Sequence, residues 1–168
     1  MVTVAKRNGI PDPAWLANLI NHESRFNPQA VNGSTGATGL IQFMPSTARG
    51  LGTTTAALKA MSGPQQMAYV DKYLSKFKGK FNSPADTYMT VFYPAAVGKP
   101  ATWTFPPEVS RYNPGITKPA DYAAKLEASA KLPTLTGTEA KKYASNVAWA
   151  VALLSLGGAL AVWVRTRR

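Results

Sequence analysis

Apolar residues recur every three or four positions in several stretches of the chain, which predicts a mainly α-helical protein. The clearest stretch runs from Asp12 to Phe26, with an apolar stripe formed by Leu16, Leu19, Ile20 and Phe26. The aspartate at its start is a typical N-cap and is followed by a proline, which suits the first helical turn. A second proline, two residues after the phenylalanine, is expected to stop the helix.

A carboxylate interrupts this apolar stripe at Glu23, three residues after Ile20 and three before Phe26. Partial burial disfavours the charged form of a carboxylate, and the last turn of a helix adds the repulsion of the negative dipole end. Both effects raise the pKa, which suits a general acid near neutral pH. The alternative is a glutamate at the edge of the stripe that reaches solvent or pairs with Arg25 or a lysine in a structural ion pair.

Three further helices are predicted from caps and apolar spacing. A cap at Ser62 opens a helix that ends near Gly79, and a cap at Ser83 opens one that ends near Tyr93. The last covers residues 117–132, with a proline close to its start.

The end of the chain has a different character. Residues 144–164 carry no charge, are long enough to cross a bilayer, and have Trp149 and Trp163 toward the two ends. They predict a single transmembrane helix; the alternative is a buried helix of a soluble domain. Residues 133–143 are the predicted linker and residues 165–168 a basic tail. Basic residues flank both ends of the span, so charge does not decide its orientation.

Composition excludes several kinds of site. The chain has no cysteine and one histidine, His22, so disulfides, thiolate metal sites and a serine-histidine-acid triad are not expected, and no cofactor is predicted. With 19 basic and 8 acidic residues the net charge is +11, which favours anionic partners such as peptidoglycan carboxylates and lipid headgroups. The basic residues are scattered and no nucleic-acid-binding motif is present, so specific nucleic-acid binding is not expected.

Residues 23–48 contain a long pattern of unusual residues. A Glu-Ser pair is followed by an aromatic residue, Pro and Ala, and then by Gly36-Ala37-Thr38-Gly39-Leu40-Ile41-Gln42-Phe43-Met44-Pro45-Ser46-Thr47-Ala48. The pattern strongly resembles the signature of the soluble lytic transglycosylase family, relatives of goose-type lysozyme. The resemblance implies a lysozyme-like domain over residues 1–132.

The same resemblance implies that Glu23 is the catalytic residue and that Ser24, Gly39, Gln42 and Met44 bind substrate. The residue types agree with that chemistry. Glycine allows close approach of a sugar chain, the amide of glutamine can hydrogen-bond sugar hydroxyls and N-acetyl groups, and methionine offers apolar surface to a sugar ring. Phe43 is expected to offer apolar surface as well; the alternative is that Leu40, Ile41 and Phe43 belong to the core.

A tyrosine near the acid is also implied, in a Tyr-Asn-x-Gly segment of the family. Tyr93 fits by spacing, but Pro94 and Ala96 stand where Asn and Gly are expected. The backbone shape of this side of the site is therefore in question. Tyr112 is the second candidate, since Asn and Gly follow it at the right positions, although it lies too far along the chain.

The implied reaction needs only one carboxyl group. In lytic transglycosylases the acid protonates the glycosidic oxygen between N-acetylmuramic acid and N-acetylglucosamine, and then, as a base, helps to close a 1,6-anhydro ring. No other acidic residue of the chain has a sequence context that suggests a second catalytic carboxylate. A hydrolytic muramidase and a catalytically silent glycan-binding or structural membrane protein remain the alternatives.

The expected location follows from the predicted anchor. The N-terminus, residues 1–9, lacks an apolar stretch that could serve as a secretory signal. We therefore expect an enzyme of the internal membrane of a bacteriophage virion, used to open the wall locally during infection, with membrane or capsid components as partners. The alternative is a bacterial cell membrane protein that faces the wall.

Overall fold

The computed structural model describes residues 1–129, and this part of the chain is mainly helical, as the sequence predicts. Its eight α-helices are α1 (Val2–Asn8), α2 (Pro13–Ser24), α3 (Pro45–Gly50), α4 (Thr55–Ala60), α5 (Gly63–Leu74), α6 (Pro84–Phe92), α7 (Pro107–Tyr112) and α8 (Pro119–Ser129). Short 3-10 turns follow α5 and α6, at Ser75–Phe77 and Pro94–Ala96.

Helix α2 begins as predicted and ends earlier than predicted. The carboxylate of Asp12 accepts a hydrogen bond from the backbone N–H of Ala14 at 2.8 Å, which confirms the N-cap. Arg25 and Phe26 adopt left-handed backbone conformations, with φ of 51° and 59°. The helix therefore ends at Ser24, two residues before the predicted end, and the chain turns sharply there.

The caps of α5 and α6 are also confirmed. The backbone N–H of Ser62 donates to Oε1 of Gln65 at 2.8 Å, and the hydroxyl of Ser83 accepts from the backbone N–H of Asp86. Helix α5 ends at Leu74, and the predicted continuation toward Gly79 is a 3-10 turn instead.

The core lies where α2, α6 and α8 pack against one another, and α1 packs on α5 beside it. Part of the loop between α2 and α3 contributes to the core. Its Leu40, Ile41 and Phe43 are all buried, and Phe43 is only 2% exposed. The expectation that Phe43 offers surface to a sugar ring is therefore wrong, because its ring packs inward against Tyr73.

The predicted linker, transmembrane helix and basic tail, residues 133–143, 144–164 and 165–168, lie outside the described residues, as does the predicted end of α8. Between residues 1 and 129, none of the helices is both long and apolar enough to cross a membrane.

Candidate functional site

Glu23 lies in the last turn of α2, with its side chain half-buried. Burial raises the pKa of its carboxyl from the ordinary 4.5 to about 7, which confirms the direction expected from the sequence. Across residues 1–129 the ion pair present is the one between Arg7 and Asp71. The alternative of a structural ion pair with Arg25 is thus not realised in this part of the molecule.

Tyr122 of α8 lies close enough to Glu23 for the negative charge to affect it. Burial first, and the charge of Glu23 second, raise the pKa of its phenol. The phenol therefore stays neutral and can donate a hydrogen bond. Its ring stacks on Phe92 at a centroid distance of 4.1 Å and meets the edge of His22 at 6.1 Å.

Tyr122 was not identified from the sequence as a site residue. Helix α8 was predicted, and Tyr122 lies on its buried face together with Ala123 and Leu126. That spacing indicates a core position, and only the packing of α8 against α2 places the residue beside the acid.

His22 neighbours Glu23 in sequence but is exposed on the other side of the turn. Partial burial, and then the positive charge of Lys125, lower its pKa. It contacts the ring of Tyr122 by its edge.

Ser24 holds the following loop against the end of α2. Its buried hydroxyl lies 3.1 Å from the carbonyl oxygen of Ile20 and 2.9 Å from that of Leu40, and can donate to either. The hydroxyl is therefore engaged by backbone acceptors on both sides. Contact between Ser24 and substrate stays a prediction, whereas its positioning of the loop is visible.

Gly39 is required by its contact with Gln66. Its φ is +84°, and a Cβ at this position would lie 2.4 Å from Oε1 of Gln66. That oxygen accepts the backbone N–H of Leu40 at 2.9 Å, and Nε2 of Gln66 donates to the carbonyls of Pro28 and Leu58. A fully buried glutamine thus ties the loop to α4 and α5, a role that nothing in the sequence indicated.

Gln42 and Met44 lie further along the same loop. Gln42 has a φ of 53°, and its half-buried amide donates to the carbonyl oxygen of Gly39 at 3.0 Å. Met44 directly precedes α3 and is 45% exposed, which is unusual for so large an apolar side chain. At this edge of the molecule Met44 offers an exposed apolar surface, whereas the amide nitrogen of Gln42 also lies 3.4 Å from the carbonyl oxygen of Ala30 and is engaged by the loop's own backbone.

Tyr93 ends α6, and its half-buried ring contacts Phe105 at 5.4 Å and Trp103 at 6.0 Å. The segment Pro94–Ala96, where the sequence departs from the family pattern, forms a 3-10 turn directly after Tyr93. Tyr112 lies on α7 and is 80% exposed. Neither placement tests which tyrosine contacts substrate.

Other carboxylates take part in local structure. Asp71 accepts hydrogen bonds from Arg7 and Asn8. Asp86 accepts hydrogen bonds from the backbone N–H groups of Ser83, at the start of α6, and of Gly98. Asp121 accepts hydrogen bonds from the backbone N–H groups of residues 117 and 118, at the start of α8. Within residues 1–129 no group of three or more His, Asp or Glu side chains could hold a metal ion.

The family model for the transglycosylase SLT domain matches residues 2–98, which is more than half of the 168 residues. The chain belongs to the transglycosylase SLT domain family. The resemblance found in the sequence is thereby confirmed. Glu23 and Tyr93 lie inside the matched region, whereas Trp103 and Tyr122 lie beyond it.

A protein named "Transglycosylase" from Enterobacteria phage PRD1 is 47% identical to this chain over 45 residues. The aligned stretch covers 27% of this chain and 17% of the phage protein. No solved structure matches the chain significantly.

Proposed function

We propose that the chain is a peptidoglycan lytic transglycosylase that cleaves the β-1,4 bond from N-acetylmuramic acid to N-acetylglucosamine. Membership of the SLT family supports a transglycosylase activity. The observation that carries the specific proposal is Glu23, a carboxyl group with a pKa of about 7 at the position of the family's acid. At that pKa the group can both donate and accept a proton near neutral pH.

In the first step protonated Glu23 gives its proton to the glycosidic oxygen. The bond between that oxygen and C1 of the muramic acid breaks, and the N-acetylglucosamine side leaves with a hydroxyl group. Positive charge develops on the muramic acid ring, and the newly formed carboxylate stabilises it electrostatically. The neutral phenol of Tyr122 lies within electrostatic reach of that carboxylate.

In the second step the Glu23 carboxylate takes the proton from the 6-hydroxyl of the same muramic acid. The 6-oxygen bonds to C1, which closes the 1,6-anhydro ring and restores the protonated carboxyl group. The substrate supplies its own nucleophile, so neither water nor a second carboxylate is needed.

The surroundings of the four aspartates support a mechanism with one acid. Asp71, Asp86 and Asp121 are committed to hydrogen bonds at the starts of helices or between helices. Asp12 caps the opposite end of α2, about 16 Å from Glu23 along the helix. A two-carboxylate hydrolase needs its second group within roughly 5 to 9.5 Å.

Gln42, Met44 and Tyr93 are the residues we propose for binding the glycan strand. Gln42 supplies an amide and Met44 an exposed apolar surface on the loop that Ser24 holds against the end of α2. Gly39 acts by letting that loop approach Gln66. The net charge of +11 adds attraction to the carboxylates of peptidoglycan.

Mass spectrometry of purified peptidoglycan after digestion tests the reaction. We expect products that end in 1,6-anhydro-N-acetylmuramic acid. Reducing-end products would show a hydrolytic muramidase instead, and intact glycan strands would show a silent binding protein. Glu23→Gln serves as the matched inactive control.

We propose further that the enzyme acts from a phage virion membrane, held by residues 144–164, and opens the wall locally during infection. The uncharged segment and the similarity to a phage protein support this location. Detection in purified particles, and release by detergent but not by salt, is the expected result. Recovery from bacterial membranes alone would favour a cellular enzyme, and full solubility without detergent would overturn the anchor.

A further inference from the structure

A continuous run of aromatic rings leads away from the candidate acid. Tyr122, whose phenol feels the charge of Glu23, stacks on Phe92 at a centroid distance of 4.1 Å, and Phe92 lies 5.6 Å from Phe105 in a T-shaped contact. Phe105 in turn contacts Trp103 at 5.3 Å. Three successive ring contacts thus connect the acid's neighbour to Trp103.

The rings of this run differ in exposure. Phe105 is only 5% exposed, and its backbone N–H donates to the carbonyl of Thr117 at 2.8 Å. This hydrogen bond fixes the loop that carries Phe105. Trp103 and Tyr93 are half-buried, lie 6.0 Å apart and are tilted by 35°. The two rings form an aromatic pair that packs against the buried Phe105. Part of the surface of the pair remains exposed to solvent.

This pair has the properties of a sugar-binding surface. The C–H groups of a pyranose form an apolar face, which can stack on the electron-rich face of an aromatic ring. Rings already held by packing lose little conformational freedom on binding. Trp103 also lies beyond residues 2–98, so the family match does not account for it.

We infer that Trp103, together with Tyr93, forms a stacking platform for a sugar ring of the glycan strand outside the two rings joined by the cleaved bond. This rests on the proposed function, because the occupant of the platform is the glycan strand that Glu23 is proposed to cleave. Trp103 acts in binding and not in proton transfer. It is therefore a specificity-determining residue that favours long glycan strands over short fragments.

The binding test uses the full chain with Glu23→Gln, in a detergent without a sugar headgroup, and measures sedimentation with insoluble peptidoglycan. Adding Trp103→Ala should weaken binding about tenfold or more. Adding Trp103→Phe should retain most of it. Trp15→Ala is the matched control, because Trp15 is also a half-buried tryptophan packed on the core but belongs to α2 and not to the pair that Trp103 forms with Tyr93.

Three results would overturn the inference: unchanged binding by the Trp103→Ala chain, equal weakening by Trp15→Ala, or no binding by the Glu23→Gln parent. If Trp103→Ala does not fold, fluorescence provides the answer. The Glu23→Gln chain and its Trp103→Phe derivative differ only at position 103, so the difference between their emission spectra reports on Trp103. This difference spectrum should shift when glycan strands are added. A difference spectrum that does not change would also overturn the platform.

The outcome is separable from that of the proposed function. Binding that depends on Trp103, with no anhydro products from the wild-type chain, would refute the reaction and keep the platform. Anhydro products with binding independent of Trp103 would refute the platform and keep the reaction. In an active enzyme, Trp103→Ala should raise KM for long strands and leave kcat nearly unchanged.

Discussion

Two carboxylates in the central helices have opposite surroundings. Asp86, in the first turn of α6, is 6% exposed and accepts hydrogen bonds from the backbone N–H groups of Asn82, Ser83 and Gly98 and from the Ser83 hydroxyl. Glu23, in the last turn of α2, is half-buried, and its carboxylate accepts no hydrogen bond from residues 1–129. One charge is fully compensated, whereas the other is largely desolvated.

The comparison shows that burial alone does not decide what a carboxylate does. At the start of a helix the free N–H groups and the dipole favour an anion, so Asp86 is stable as part of the fold. At the end of a helix the dipole opposes an anion and carbonyls replace the donors. Burial without such donors raises the pKa of the Glu23 carboxyl to about 7, so the group holds its proton to higher pH and is suited to proton transfer.

The largest expected effect comes from Glu23→Gln, which preserves shape but cannot transfer a proton. We expect wall lysis to fall by about 10²- to 10⁴-fold while the fold and glycan binding remain. A zymogram and a circular dichroism spectrum measure the two properties. Substantial residual lysis would refute Glu23 as the acid.

Asp86→Asn is the reciprocal change and should act on stability. The amide keeps one oxygen but cannot accept all the hydrogen bonds of the carboxylate, which leaves at least one buried N–H unpaired. We expect a loss of about 1–3 kcal/mol in the free energy of unfolding, measured by denaturant titration.

Activity per folded molecule supplies the control for that variant. It should stay close to wild type, because Asp86 lies at the other end of α6 from Tyr93. A stable but inactive Asp86→Asn protein would remove the distinction between the two carboxylates, and Asp86 would then belong to the reaction.

The pH dependence of activity gives a smaller effect at Glu23. Because the pKa of its carboxyl is raised to about 7, the protonated form predominates below that pH. Activity should fall by about tenfold per pH unit above it. Initial rates on isolated peptidoglycan, with folding checked at each pH, measure the profile. A rate that stays flat from acid to well above neutral would contradict a single protonated carboxyl.

Sequence patterns located α2, α5 and α6 from their caps. Asp12, Ser62 and Ser83 each mark a helix start that the structure confirms. The shorter helices α1, α3, α4 and α7 were not predicted, because six or seven residues make too few turns to show a hydrophobic period. The early end of α2 at Ser24 depends on the left-handed conformations of Arg25 and Phe26, which the sequence does not indicate because neither residue is glycine.

The candidate site divides in a similar way. Glu23 could be found because its carboxylate interrupts an apolar stripe inside a distinctive motif. Tyr122 and Gln66 could not, because their importance comes from packing between elements distant in sequence. Gly39 was singled out for the close approach of a sugar chain, which stays a prediction; the neighbour that the structure shows is a buried glutamine side chain, which one-dimensional spacing cannot reveal.

The smallest expected effect returns to Glu23 and concerns stability rather than catalysis. Its folded-state pKa of about 7 lies above the ordinary 4.5, so between these values the folded chain holds a proton that the unfolded chain has released. The stability contributed by this group is thus fully present below about pH 4.5 and is lost as the pH rises to about 7.

Glu23→Gln has no such proton to lose, so its stability relative to wild type should increase between about pH 4 and about pH 8. After allowance for partial exposure, we expect a relative gain on the order of 1–2 kcal/mol, measured by denaturant titration at both pH values. Asp12→Asn is the control for generic charge removal, since Asp12 is exposed. If the relative stability of Glu23→Gln is the same at both pH values, the carboxyl is not desolvated in the folded state. The contrast with Asp86 would then lose its physical basis.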